Sequence, residues 1–232
     1  MGVAGGPDLI QDGLVLSLDA SDRNSYVSGS TTWFDLSGLN NSGSLTNGPT
    51  FNTGSLGSIV FDGSNDYVDV PLSSYLQFGT SDFTISYWVY PISKVSLYPS
   101  IFTNYNGYGT GAIYFGVDHS SVPNKYSFYI NNSLTPAYTN SNISYGSWEQ
   151  IISVRDSGII KLYLNGWQNG TTIDGTGITL NGRNSSVIRI AAIQGESNFY
   201  NGRISNIQIY NRALSASEIL QNYNAQKSKF GL

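Results

Sequence analysis

Cysteine is absent from this chain, and several other reactive residues nearly so: Met1 and His119 are the only ones of their kind, and Glu149, Glu196 and Glu218 are the only glutamates. Without cysteine, neither a disulfide framework nor a thiolate metal site can form. With one histidine, a histidine metal cluster is excluded, and a Ser-His-Asp triad would have to be built on His119. Charge is also scarce, at 11% of the 232 residues. The 11 Lys and Arg are scattered singly against 15 acidic residues, for a net charge of −4. No basic stripe exists for a phosphate backbone, so nucleic acid is not an expected partner. No apolar run approaches the roughly 18 residues of a membrane span. Met1 to Gly6 lacks the charged start and apolar run of a signal peptide. Gly6 also stands where a myristoylation signal wants Ser or Thr.

What the chain has in quantity is glycine, at 26 residues, with 17 Tyr and 10 Phe among many Asn, Ser and Thr. Short strands joined by polar turns have this composition, and the length suits one all-β domain. Alternation of apolar and polar residues predicts strands at Gly13–Ala20, Ser58–Phe61, Asp66–Val70 and Phe83–Tyr90. In the last, Phe83, Ile85, Tyr87 and Val89 share one face, Trp88 and Tyr90 take the other, and Pro91 stops the strand. Further strands are predicted at Ser100–Asn104, Gly111–Val117, Tyr126–Asn131, Trp148–Arg155, Ile159–Asn165 and Val187–Ala192. Asn165-Gly166 reads as a type I′ hairpin turn, which needs positive φ at both central positions.

The stretch Phe199 to Tyr223 closes the chain's pattern. Ile207 and Ile209 alternate with Asn206 and Gln208, and the period then changes at Ser215, three residues before Glu218, which is a capping box. A helix over about Ala216 to Gln226 follows, with Leu214 and Ile219 as a staple. A helix this short is marginal alone, so Ile219, Leu220 and Tyr223 must dock on an apolar surface. The expected organisation is an N-terminal arm or linker over residues 1–12, a β-sandwich over 13–226 and a C-terminal tail over 227–232.

These segments together carry a resemblance. The strand and helix GRISNIQIYNRALSASEI, preceded by FDGSNDYVDV at Phe61–Val70, FTISYWVYP at Phe83–Pro91, WEQIISV at Trp148–Val154 and KLYLNG at Lys161–Gly166, resemble a laminin G-like domain of the concanavalin A-like lectin/glucanase superfamily. Trp33 followed by DLSG at Asp35–Gly38 resembles another of its segments, and the likeness spans about Leu14 to Tyr223. It implies a jelly-roll β-sandwich of two antiparallel sheets with a short C-terminal helix, its first and last strands adjacent. Many relatives carry an acidic pair in the final strand where this chain has Ser205-Asn206. Domains similar to this subtype are frequent in tailed-phage virion proteins and bacterial surface proteins, and the missing cysteines fit a bacterial or viral chain.

The superfamily includes glucanases, whose retaining chemistry needs two carboxylates about 5 Å apart, commonly in an E-x-D-x-E strand. No such run occurs here, and Glu218 is committed to the capping box. An enzyme is therefore not expected. His119 reads as a loop histidine, and Gly107, Gly109 and Gly111 precede a β-prone segment where a phosphate loop would need a helix. Many relatives hold a rim calcium, for which Asp35, Asp62 and Asp66 would be the ligands here. Asx turns explain these residues better, as they do Asp19 and Asp22, so no cofactor or metal is expected.

What remains is surface chemistry. Aromatic faces stack on sugar C–H groups and amides bond hydroxyls, so Asn104, Tyr105, Asn106, Tyr108 and Trp167 are the candidate carbohydrate-binding residues. The Asn-x-Ser/Thr sequons, as at Asn131 and Asn142, read as coincidence in so Asn-rich a chain. The expected function is a non-catalytic module recognising a glycan or cell-surface polysaccharide, on a virion fibre, tail or capsid or on a bacterial surface. The alternative is a structural decoration protein bound to virion neighbours or to symmetric copies through its termini. Glycoside hydrolysis is the third reading and lacks its carboxylate pair.

Overall fold

The computed structural model describes residues 7–54, 57–104, 111–130, 136–182, 185–195 and 198–232. The alternating residues assemble two antiparallel sheets. In the nine-stranded one the order is β14 (Trp167–Gln168), β13 (Ile159–Leu164), β12 (Glu149–Asp156), β7 (Phe83–Ser93), β17 (Asn201–Tyr210), β5 (Ser58–Asp62) and β4 (Thr50–Asn52). There β1 (Leu14–Asp19) also pairs with β17, and β15 (Ile173–Asp174) with β13. The eight-stranded sheet runs β11 (Ala137–Tyr138), β10 (Tyr126–Ile130), β9 (Ile113–Val117), β8 (Ser100–Thr103), β16 (Val187–Ile190), β6 (Tyr67–Pro71), β3 (Gly43–Thr46) and β2 (Thr32–Trp33). This is the jelly-roll sandwich that the resemblance implies, with first and last strands neighbours.

Between the sheets, Phe83, Ile85, Tyr87 and Val89 of β7 meet Phe102, Phe115 and Phe128 of the facing sheet in one core. Tyr87 stacks on Phe115 at 5.1 Å and meets Phe102 edge-on at 6.0 Å. Each such ring contributes roughly 1.5–3 kcal/mol by leaving water. Trp88 faces the other way, as predicted, against Phe230 at 3.9 Å and Tyr223 at 5.8 Å.

β17 organises its sheet. One edge pairs with β7; the other pairs with β5 over Asn201–Ile204 and with β1 over Asn206–Tyr210. At the seam, the Ser205 carbonyl accepts from Ala20 N and its hydroxyl donates to Gly57 O. The register shifts here, so Ile204 joins Ile207 and Ile209 in the core although strict alternation would turn it outward. That shift is a bulge, one extra residue that resets the faces.

The helix α1 spans Ala216–Gln226, as the capping box predicts: Ser215 Oγ accepts from Glu218 N and Glu218 Oε2 accepts from Ser215 N. Arg212 grips the same carboxylate through Nη2 and Nη1 at 2.7 and 3.1 Å. This hydrogen bonding, opposed by burial and aided by the Ser215 bonds, holds the Glu218 carboxyl at about 2. Ile219 and Leu214 are buried against Ile152, Val154, Tyr163 and Tyr210 on the outer face of the nine-stranded sheet. Leu220 and Tyr223 are half-buried. Among the described residues no helix is long and apolar enough to cross a membrane.

Two expectations need correction, and the described parts of both terminal segments pack on the domain. β7 continues through Pro91 to Ser93, because the ladder shifts register opposite it at Asn201/Gly202 and the Pro91 carbonyl accepts from Gly146 N. The long loop expected over Asp19–Asn41 contains β2, and β3 and β4 follow it; strands of two to four residues carry too little periodicity to be read. In the segment expected as an arm, Ile10 N donates to Asn222 Oδ1 and Asp8 O accepts from Gln221. The segment expected as a tail folds into a 3-10 turn, Lys227–Phe230, with Lys229 on the Asp19 carboxylate at 3.1 Å.

Ser215→Ala is expected to cost about 1 kcal/mol in urea denaturation, since one cap is lost. Because the Glu218 carboxyl lies below its ordinary 4.5, its contribution is complete above that pH and disappears as pH falls toward about 2. Glu218→Gln should flatten that segment of the acid-denaturation curve. Phe230→Ala, which strips the Trp88 face, should cost about 3 kcal/mol.

Candidate ligand-binding face

The two outer faces differ. Helix and tail cover one; across the other, pairing register sets a single row of polar and aromatic side chains. Ser44 lies opposite Asp69, Asp69 opposite Arg189, Arg189 opposite Thr103, Thr103 opposite Tyr114, and Tyr114 opposite Tyr129. Their neighbours along each strand, such as Val68, Ile190, Phe102, Phe115 and Phe128, point into the core. Period-2 alternation therefore builds the row and the core together.

At the open end of the row Arg189 holds Asp69 in a bidentate pair, Nε and Nη2 each 2.8 Å from a carboxylate oxygen. The guanidinium lies 3.8 Å above the half-exposed Tyr67 ring. At the other end Tyr114 folds flat over Gly116, where a Cβ would stand 2.6 Å from the ring, and donates to Pro99 O. Tyr98, Tyr114 and Tyr129 surround His119, with centroids 4.6, 5.8 and 4.8 Å away. His119 Nδ1 lies 2.7 Å from Ser121 Oγ, which meets Tyr129 Oη at 2.9 Å. Burial, with the Lys94 charge adding, pushes this imidazole down to about 4. Beside it Asp118 takes Lys94 Nζ at 3.4 Å, Tyr145 Oη at 2.8 Å and Asn124 N at 2.7 Å.

Of the residues predicted to contact sugar, the two described ones, Asn104 and Trp167, do not join this face. Tyr105, Asn106 and Tyr108 lie outside the described residues. Asn104 is fully buried, its Oδ1 accepting from Ile113 N, so it braces β8 against β9 instead of meeting a ligand. Trp167 is 66% exposed, but it lies on an edge of the other sheet, at the opposite end of the sandwich from Asn104. It pairs with Leu164, which faces Ile151 near the start of β12. Asn104 neighbours Gly182, in the segment whose Gly175 and Ile178 carbonyls cap Arg155 near the end of β12. Tyr114, Tyr129, Asp69 and Arg189 were missed because alternation marks them as outward-facing but only register lines them up.

The carboxylates weighed for catalysis or calcium have protein partners. Glu149 is buried and accepts from Tyr126 Oη and Ser144 N, and Glu196 lies outside the described residues. Asp35 accepts from Ser37 N, Ser17 N and Asn41 N; Asp62 accepts from Ser64 N; Asp19 and Asp22 accept from Ser21 N and Asn24 N. These are the two-residue Asx turns that the sequence predicts. Asp66 accepts from Asp62 N, and burial raises its carboxyl. Among the described residues no three His, Cys, Asp or Glu side chains come together as a metal-binding group.

Residues 62–220 match a laminin G-type family model described as concanavalin A-like lectin/glucanases superfamily. No curated protein matches the chain. Among solved structures, the binding domain of Paraclostridial Mosquitocidal Protein 1 is similar at TM-score 0.70 and 21% identity, over 93% of this chain and 52% of that one. Domain 4 of AbnA, an extracellular arabinanase from Geobacillus stearothermophilus solved with arabinotriose, is similar at TM-score 0.67 and 18% identity, over 90% and 98% of the two chains. Trypanosoma rangeli sialidase is similar at TM-score 0.70 and 16% identity, over 94% of this chain and 34% of the enzyme. The chain thus spans about half of the mosquitocidal binding domain and a third of the sialidase. At these identities the likeness is one of fold.

Gly116→Ala should displace the Tyr114 ring, lowering stability by about 1–3 kcal/mol and changing the near-ultraviolet dichroism. The His119 resonances should titrate near pH 4. Since the unfolded chain takes that proton near 6.5, stability should fall as pH drops from about 6.5 to 4, and His119→Phe should lose this part of the slope.

Proposed function

Because the chain belongs to the concanavalin A-like lectin/glucanase superfamily as a laminin G-type domain, we propose that it is a non-catalytic carbohydrate-recognition module working on the outer face of its eight-stranded sheet. The observation that carries this reading is the cross-strand row from Ser44 to Tyr129, flanked by the half-exposed Tyr67 and Tyr98. Thr103, Tyr114 and Tyr129 are buried within it, so a ligand meets the exposed Ser44 hydroxyl, the half-exposed Asp69–Arg189 pair and the Tyr67 and Tyr98 rings, on a backbone already fixed by ladders. Sugars are held by such sets, through C–H stacking and hydrogen bonds to preformed partners.

The fold neighbours support it in kind. One was solved with arabinotriose, and another, a botulinum neurotoxin type C structure covering 93% of this chain at TM-score 0.67, concerns interaction with two ganglioside molecules. The module needs no cofactor in this reading, and a tailed-phage virion or bacterial surface is the setting its subtype suggests. Attachment of a decoration protein through its termini is less favoured, because Asp8, Ile10, Lys229 and Phe230 are engaged with the protein's own helix and sheet.

A glycan array followed by titration calorimetry tests the proposal. At least one oligosaccharide should bind, and Tyr98→Ala should weaken it by about tenfold, or about 1.4 kcal/mol. Trp167→Ala should leave it unchanged. Loss of binding in Trp167→Ala alone would move the site to the edge of the other sheet, and an array with no bound glycan would sink the module as a lectin.

A further inference from the structure

The charges on this face are arranged to cancel. Arg189 spends Nε and Nη2 on Asp69 and lays its plane over Tyr67, so Nη1 is the only guanidinium nitrogen without a hydrogen-bond partner among the described residues. At the far end Lys94 is paired with Asp118, which also takes the Tyr145 hydroxyl. His119 between them is neutral through the physiological range. Among the described residues of the row and its far-end cluster, the ionised groups are thus two cations and two carboxylates, each cation on its own carboxylate.

Resting on the carbohydrate reading above, we propose that this face selects neutral glycans and rejects acidic ones, with Asp69 as the specificity-determining residue. A neutral sugar hydroxyl accepts from Arg189 Nη1 and donates to a remaining Asp69 lone pair, so the ion pair serves intact as a donor and acceptor set. A sialic acid or uronate carboxylate must instead share Arg189 with Asp69. That brings two like charges together and strips water from both, a cost that no second unpaired cation among the described residues of the face offsets.

The test compares lactose with sialyllactose, and galacto-oligosaccharide with oligogalacturonate, by calorimetry at low and high salt. The wild-type protein should bind a neutral member more tightly than its acidic counterpart, with little dependence on salt. Asp69→Asn, which keeps the shape but frees Arg189, should shift the acidic-to-neutral affinity ratio by about tenfold toward the acidic sugar, with a new salt dependence. Arg189→Met, which keeps the stem over Tyr67, should lose neutral binding without gaining acidic binding, and it carries the test if Asp69→Asn fails to fold. Preference of the wild type for an acidic sugar, or an unchanged ratio in Asp69→Asn, would overturn the selectivity and leave recognition standing. Unchanged neutral binding in Arg189→Met would also overturn it. No binding by any sugar would overturn both readings.

Discussion

One strand holds both ends of this chain. β17 donates and accepts along β7 on one side and, on the other, divides its edge between β5 and β1, so the earliest and latest strands close the same sheet. The seam at Ser205 makes the division possible, since a bulge resets the register and a serine hydroxyl and carbonyl satisfy the backbone where the two strands meet end to end. Relatives that carry an acidic pair in this strand would place charge in the middle of it. Here Ser205 and Asn206 are buried, and an ionised pair would be desolvated. The departure from the family pattern is thus compatible with a seam that is tight and neutral.

The asymmetry of the two outer faces follows from where the chain ends. After β17 the capping box turns the backbone back across its own sheet, and Ile219, Tyr223 and Phe230 cover Val154, Tyr163 and Trp88. Between those apolar contacts lie the buried polar side chains Ser86, Gln150 and Gln208. The apolar grip on the helix is thus interrupted by polar positions, and its ends are fastened as well, by Arg212 and Ser215 on Glu218 and, just past it, by Lys229 on Asp19 with Phe230 on Trp88. Among the described residues no such cover lies on the eight-stranded sheet near β3, β6 and β16, and Tyr67, Asp69 and Arg189 are half-exposed.

Period and caps were legible in the sequence; register was not. Alternation in Phe83–Tyr90 separates core from outer face, and Ser215 with Glu218 marks the helix, because each of those signals lies within a few residues of chain. The Asn165-Gly166 turn is equally local, with φ of 50° and 83°. Pro91 misled because its effect depends on a bulge in another strand, 110 residues away in sequence at Asn201/Gly202. Asn104 misled because a side-chain amide in a polar loop reads as surface until the Ile113 N–H it accepts from is located. The face proposed for ligand binding was invisible for the same reason: no two of Asp69, Thr103, Tyr114, Tyr129 and Arg189 are close in sequence, and only strand pairing sets them in line.

A scarcity of charge shapes what such a face can do. With 11% charged residues, the protein cannot steer ligands by a broad field, and the ions near its row are tied to each other. Affinity must then come from short-range terms, stacking and directed hydrogen bonds, which reward a rigid arrangement and change little with salt. The same geometry that ties Arg189 to Asp69 holds it flat over Tyr67 at 3.8 Å and fixes where its remaining N–H groups point. Pairing the charge therefore sharpens recognition as well as muting it, because a fixed donor beside a fixed acceptor discriminates among hydroxyl arrangements that a free charge would treat alike.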